Sequence, residues 1–197
     1  EVDRSKPVGM TGTSGGGTQT TFLMALDDRI GPAAPSCYTM QRTDKFHGKS
    51  GPADGCQHLA GEGLYGIDHI DYSLMRFPRP TAILAATQDF FEIDSTRETV
   101  RDAKAVFGAL GQADRFAFYE ADTTHGMHVE HRQEATRWMR QWLYNDPRPV
   151  TEPKDIRLFT DAELQVTRTG QVHNDFANEA NVADISLRLA RRLKTKR

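Results

Sequence analysis

The apolar positions of the chain first gather in PVGMT (residues 7–11), a run that stops at Gly12, and then spread out in TTFLMALDD, where Phe22, Ala25 and Leu26 fall at helical spacing. That pattern predicts strand, turn and helix in succession. GPAAPSCY is compatible with another short buried strand, after which residues 41–75 keep no sustained period and are rich in glycine, as a long excursion or cap would be. TAILAA (81–86), following two prolines, is the continuous apolar run of a strand buried on both faces. A helix is expected next. Ser95 and Glu98 have capping-box spacing, Val100, Ala103, Phe107 and Leu110 share one face, and Gly111 closes the segment. RFAFYEA (115–121) predicts a further strand, and Ala135, Trp138, Met139 and Trp142 mark a helix that stops before Pro147. Strand and helix in alternation argue for an α/β sheet.

Past Pro147 the pattern dissolves into PRPVTEPKD, which reads as a linker, and returns in DISLRLARRLKTKR as a basic amphipathic helix carrying Ile185, Leu187, Leu189, Ala190 and Leu193. With no aromatic residue interleaved, its basic face is read as solvated surface rather than as a nucleic-acid or membrane contact. Composition agrees: 197 residues suit one domain, and 38% hydrophobic content, 26% charged content and a net charge of −2 argue against a nucleic-acid binder. No apolar run reaches the ~20 residues of a membrane helix, and no signal-peptide pattern opens the sequence. Cys37 and Cys56 are too few for a disulfide scaffold and too far apart for a metal knuckle; two buried thiols are favoured over a single disulfide.

The chemistry centres on GTSGGGT (12–18). Gly12 and Gly17 match the spacing of a phosphate-cradling loop, but Thr18 stands where a lysine would meet the phosphate charge. A dinucleotide fingerprint through Gly15 and Gly17 would need a glycine at position 20, which is Thr20. A nucleophile on a sharp strand-to-helix turn requires small residues two before and two after it, and Gly12 and Gly16 flank Ser14 in that way. A serine needs a base and a carboxylate, in the chain order Ser, Asp or Glu, His. Asp89 lies just beyond the strand TAILAA, and His125 in the loop after the next strand, followed by Gly126. In parallel sheets such carboxyl ends are where sites assemble. Asp94, at a helix start, has capping as its commoner task, and Asp122 is close to His125 in sequence. His128 and His131 are three apart with no obvious third metal ligand; His47, His58, His69 and His173 are read as loop or surface residues.

GTSGGGTQTTFLMALDDRIGPAAPSCY, ATQDFFEID and EADTTHG are together similar to the nucleophile, acid and histidine segments of the α/β-hydrolase superfamily, and more narrowly of its acetyl xylan esterase-like branch. The likeness covers roughly residues 6–145. It implies the α/β-hydrolase fold, a mostly parallel sheet with helices on both faces, of which residues 1–146 are the carboxyl-terminal half, with the amino-terminal strands missing and 41–75 forming a cap-like excursion. It implies a serine carboxylic-ester hydrolase in which Ser14 attacks, His125 serves as base and then acid, Asp89 orients the histidine and the Gly15 N–H helps bind the oxyanion. No cofactor and no metal are implied. The expected partners are a small-molecule or carbohydrate ester, with an acetylated carbohydrate favoured, and the missing amino-terminal half, and the expected location is periplasmic or extracellular. A related serine peptidase and an inert hydrolase-like interaction module are the alternatives. In residues 147–197, TDAELQVTRTGQV resembles a connector leading into a further domain.

Overall fold

The computed structural model describes residues 6–47 and 57–194. The chain divides into two units, residues 1–152 and 153–197. In the first, four parallel strands, β1 (Val8–Thr13), β2 (Ile30–Ser36), β3 (Thr81–Gln88) and β4 (Phe116–Thr124), lie side by side in chain order. Between and after them run α1 (Gly15–Leu26), α2 (Arg42–His47), α3 (His69–Met75), α4 (Ile93–Ala109) and α5 (Val129–Tyr144). Helices cover both faces. Ala34, Ala82 and Leu84 pack under Ala135 and Trp138 of α5, while Ile83 and Phe116 meet Val100, Ala103 and Phe107 of α4 on the opposite side. Phe22 and Met24 of α1 close on Ala33 and on Tyr72 of α3.

β3 is buried from Thr81 to Ala86, as its unbroken apolar run requires in a sheet covered twice. β1 differs. It pairs with β2 alone, no described strand lies along its other edge, and Val8 is 53% exposed. Val8 and Ser14 donate their N–H groups toward the β2 side, to Arg29 and Ser36, so the alternate residues Gly9, Thr11 and Thr13 turn theirs to the open edge.

Several helix details depart from the sequence pattern. α4 begins at Ile93 with Glu92 at its cap, so Ser95 and Glu98 are not a capping box. Both reach instead to Gln41, Ser95 Oγ accepting its N–H at 2.9 Å and Glu98 its side-chain amide at 2.9 Å. Val100, Ala103 and Phe107 are buried as expected, but Leu110 is exposed. At that end Gly111, with φ +70°, lets the Gln112 N–H reach Phe107 O and its own N–H reach Gly108 O, a Schellman closure. In α1 Phe22 points inward but Leu26 is exposed; the buried face is mostly threonine and glycine, Gly17, Thr18, Thr20 and Thr21.

Among the described residues of 41–75 are the two short helices α2 and α3, and the start and end of the segment are tied to the body of the unit. Arg76, just after α3, is buried and gives its guanidinium to the carbonyls of Met24, Ile30, Gly31 and Pro80 and to Thr81 Oγ1. It thereby joins the end of α1 to the starts of β2 and β3. Burial makes its charge costly and draws its pKa down to about 9.

The second unit holds α6 (Asp161–Leu164), α7 (Val172–Asp175) and α8 (Val182–Lys194). Thr160 and Glu163 form a capping box on α6, and Ile185, Leu187, Leu189 and Leu193 of α8 are exposed. No described helix is long and apolar enough to cross a membrane.

The turn between β1 and α1 separates the glycines by what a side chain would meet. A Cβ on Gly12 would lie 2.6 Å from Gly16 O, and one on Gly17 2.5 Å from Ser36 O, both backbone atoms that cannot step aside cheaply; a Cβ on Gly16 would meet nothing within 4 Å. The clearance that the sequence pattern assigned to Gly16 is therefore needed at Gly12 and Gly17. Gly17→Ala is expected to destabilise by about 1–3 kcal/mol through overpacking, whereas Gly16→Ala is neutral or gains up to about 1 kcal/mol of helix propensity. Urea unfolding midpoints of the two variants check this, and equal losses would contradict it.

Candidate active site

Ser14 sits between the last residue of β1 and the first of α1 with φ +55° and ψ −120°, a conformation that non-glycine residues adopt only when their surroundings impose it. The surroundings are visible. Its N–H is held by Ser36 O at 3.0 Å and its carbonyl accepts the first helical bond from the Thr18 N–H at 2.9 Å. Its hydroxyl makes no capping bond to the helix, so it is not spent on local structure.

Asp89 follows β3 directly and His125 follows β4 directly, so both stand at the same carboxyl-end rim of the parallel sheet as Ser14. The Asp89 side chain is 1% exposed and both its oxygens lie 2.9 Å from His125 Nδ1. A carboxylate only accepts, so Nδ1 of the neutral ring bears the proton and Nε2 keeps its lone pair for a proton from elsewhere. The Phe91 N–H donates to Asp89 Oδ1 at 3.1 Å, fixing the carboxylate from behind. Phe90 lies against the imidazole, ring centroids 4.3 Å apart, and itself stays 46% exposed.

The rival acids are engaged elsewhere. Asp94 is exposed and pairs with Arg97 at 2.7 Å, not with the helix cap, and Asp122 accepts from Thr87 Oγ1 at 2.5 Å and Gln88 Nε2 at 3.0 Å. His131 is buried, with Nε2 donating to Ala85 O at 2.9 Å, and its ring centroid is 6.3 Å from that of His128. One histidine expected in a loop or at the surface is neither: His69, at the start of α3, is buried, stacked 4.5 Å from Tyr38, and accepts the Met40 N–H at Nδ1. Burial drives its pKa well below the ordinary histidine value, with Lys45 and Arg42 adding to the effect.

Behind the acid loop lies a buried polar cluster that pattern reading did not find. Lys45 places its ammonium over the rings of Tyr38, at 4.3 Å, and Phe91, at 4.7 Å, and donates to Gln57 Oε1 at 2.8 Å. Glu62 pairs with Arg42 at 2.8 Å and accepts from the Tyr72 hydroxyl and the Leu59 N–H. These contacts dock the excursion against Phe91, and through it against Asp89. Cys37 was also read only as a thiol. Its position directly after β2, equivalent to that of Ser14 after β1 and Asp89 after β3, was the available signal. It is 2% exposed, with Sγ 3.7 Å from Gly126 O, and burial pushes its thiol pKa up. Cys56 lies outside the described residues, and with it the question of pairing to Cys37.

Comparison with solved structures places this fold. A carbohydrate esterase family 15 glucuronoyl esterase from Caldicellulosiruptor kristjansonii is 16% identical with TM-score 0.57, over 77% of this chain and 47% of that one. A glucuronoyl esterase from Sporotrichum thermophile is 18% identical with TM-score 0.55, over 76% and 47%. The acylaminoacyl peptidase of Pyrococcus horikoshii is 14% identical with TM-score 0.51, over 82% and 26%. No protein-family model matches the chain, and no curated protein matches it. The chain has the α/β-hydrolase fold, and it spans about half the length of the glucuronoyl esterases that it resembles and about a quarter of the peptidase.

The Glu62 cluster carries a pH dependence. Burial alone would raise the Glu62 pKa, but the Tyr72 hydroxyl and the Arg42 guanidinium outweigh it and hold the carboxyl below its usual range. A depressed folded-state pKa contributes stability above the unfolded value of about 4.3 and loses it as pH falls through the folded value. Glu62→Gln is therefore expected to lower stability at pH 7 and to flatten the loss between about pH 5 and pH 3. Urea midpoints across that range measure both, and parallel pH profiles for the two proteins would refute the assignment.

Proposed function

We propose that this chain carries the catalytic residues of a serine carboxylic-ester hydrolase acting on an acylated carbohydrate. The observation that carries the reading is the Asp89–His125 pair, bidentate at 2.9 Å, on the same sheet rim as a serine held at positive φ with its hydroxyl free of capping. In this mechanism Ser14 Oγ attacks the ester carbonyl carbon as His125 Nε2 takes its proton; Asp89 keeps the ring in that tautomer and stabilises the imidazolium. The tetrahedral oxyanion faces the amino end of α1, where the Gly15 N–H is one donor. His125 then returns the proton to the leaving alcohol, and water repeats the sequence to release the acid. The acetyl xylan esterase-like segments and the fold shared with carbohydrate esterases support the choice of substrate. The likeness to an acylaminoacyl peptidase supports a second reading, in which the same triad cleaves an acylated peptide.

Two tests follow from this assignment. Ser14→Ala is expected to lower turnover of acetyl esters on the order of 10⁶-fold with the fold intact, and a fluorophosphonate to label the protein but not this variant. Asp89→Asn is expected to cost on the order of 10⁴-fold through the wrong histidine tautomer, and Asp94→Asn to leave turnover near normal. Should Asp94→Asn be the more damaging, the acid assignment falls. Comparing acetylated sugars with acylated peptides as substrates decides between the two readings.

The open edge of β1 is part of the same proposal. Strands of this fold that carry a nucleophile are flanked on both sides, so the N–H and C=O groups of Gly9, Thr11 and Thr13 belong to pairing with a strand outside these 197 residues, in an amino-terminal half that also supplies the second oxyanion donor. Residues 1–197 expressed alone are expected to aggregate or to lack ester hydrolysis, and addition of that half to restore both. Size-exclusion chromatography with an acetyl-ester assay measures it; a monomeric and fully active product would overturn this part of the proposal.

A further inference from the structure

The rim of the sheet brings a third side chain to the Asp89–His125 pair. Cys37 leaves β2 with φ +49°, its N–H held by Leu84 O at 3.0 Å, so that the strand end itself aims Sγ at the neighbouring loops. Cys37 Sγ, an Asp89 carboxylate oxygen and a His125 ring nitrogen all lie within 4.8 Å of one another. The thiol's own engagements are weak sulfur contacts, 3.6 Å from Ser36 Oγ and 3.7 Å from Gly126 O, and are lost at little cost. Thiolate, imidazole and carboxylate are the three donors from which zinc sites are assembled.

We propose that Cys37, Asp89 and His125 form a binding site for a divalent transition-metal ion of the zinc type, and that its occupancy switches the catalytic pair off. Tetrahedral bonds of about 2.0–2.3 Å put donor atoms about 3.3–3.8 Å apart, so the three groups reach that geometry by shifts of about an ångström. The fourth position takes water. On binding, the Cys37 thiol releases a proton to solvent and the His125 ring proton moves from Nδ1 to Nε2 by exchange with solvent, so the imidazole stays neutral and the thiolate and carboxylate together neutralise the ion's charge. The soft thiolate selects zinc, cadmium or cobalt over magnesium and calcium. With metal on Nδ1, His125 no longer donates to Asp89. Its ring loses the orientation and the stabilised imidazolium that proton transfer from Ser14 needs, so the inhibition is reversible by chelation. Binding stands on the geometry alone; the loss of activity rests on the hydrolase reading above.

Cobalt titration separates the two. Added to the intact protein, Co²⁺ is expected to produce a thiolate-to-cobalt charge-transfer band that saturates at about one equivalent, is displaced by Zn²⁺ and is indifferent to Mg²⁺. The band should persist in Cys56→Ser and vanish in Cys37→Ser and in Cys37→Ala, with circular dichroism confirming that these variants fold; His125→Ala should weaken it. In acetyl-ester hydrolysis, Zn²⁺ should inhibit the native protein and require at least about tenfold more metal to inhibit Cys37→Ser, each compared with its own rate in the absence of metal. Absence of the band, or its survival in folded Cys37→Ser, overturns the site. A band that behaves as described, in an intact protein with no hydrolysis to inhibit, supports the site and sinks the hydrolase reading instead.

Discussion

The carbonyl of Ser36 is the atom around which the site is arranged. It accepts the Ser14 N–H at 3.0 Å and stands where a side chain on Gly17 would be, so β2 simultaneously pulls the turn in and sets how closely α1 approaches. A serine turn held at positive φ needs both actions. Hydrogen bonding alone would let Ser14 relax toward an ordinary φ, and close packing alone would not determine where its side chain emerges. One residue further along, the Cys37 N–H bonds Leu84 O, and Leu84 is in register with Tyr119. Position is thus passed from Ser14 across β2 to β3 and β4, the strands that Asp89 and His125 follow.

The acid and the base have their own support, and it comes from the excursion. Phe91 donates its N–H to Asp89 and takes the Lys45 ammonium on its ring, and Lys45 is anchored to Gln57 and stacked over Tyr38. Lys45 is 1% exposed, so its ammonium has given up water for partners that include these rings and the Gln57 amide oxygen, which is tolerable only if the excursion stays closed around it. The excursion and the Asp89 loop therefore rise or fall together. Arg76 supplies the equivalent linkage at the opposite end of the sheet, where one guanidinium with five donors gathers carbonyls from α1, from the start of β2 and from Pro80 just before β3.

What was legible along the chain were features whose cause is local. A buried strand announces itself as TAILAA, a tight strand-to-helix turn as glycines around Ser14, and the places of Asp89 and His125 follow from the ends of the strands before them. What was not legible were choices made between distant segments. Ser95 and Glu98 have the spacing of a helix cap, yet Gln41, 54 residues away from Ser95, competes successfully for both because its backbone N–H has no strand or helix partner. Leu110 and Leu26 have helical spacing but stand exposed where their helices end, Leu26 as the last residue of α1 and Leu110 just past α4. His69 looks like any loop histidine until Tyr38 and the Met40 N–H enclose it.

The sequence by itself determined the order of elements, the parallel sheet, the tight turn at Ser14 and the placing of Asp89 and His125 at strand ends, because period, turn chemistry and strand ends are properties of neighbours in the chain. Only the tertiary structure decided which glycines must lack a side chain, that Asp89 rather than Asp94 or Asp122 meets His125, that Lys45 and Glu62 lie buried behind the Asp89 loop, and that Cys37 lies beside the Asp89–His125 pair. These are contacts between residues tens of positions apart, and their outcome rests on distances and burial that exist only once four strands lie side by side and helices close over both faces.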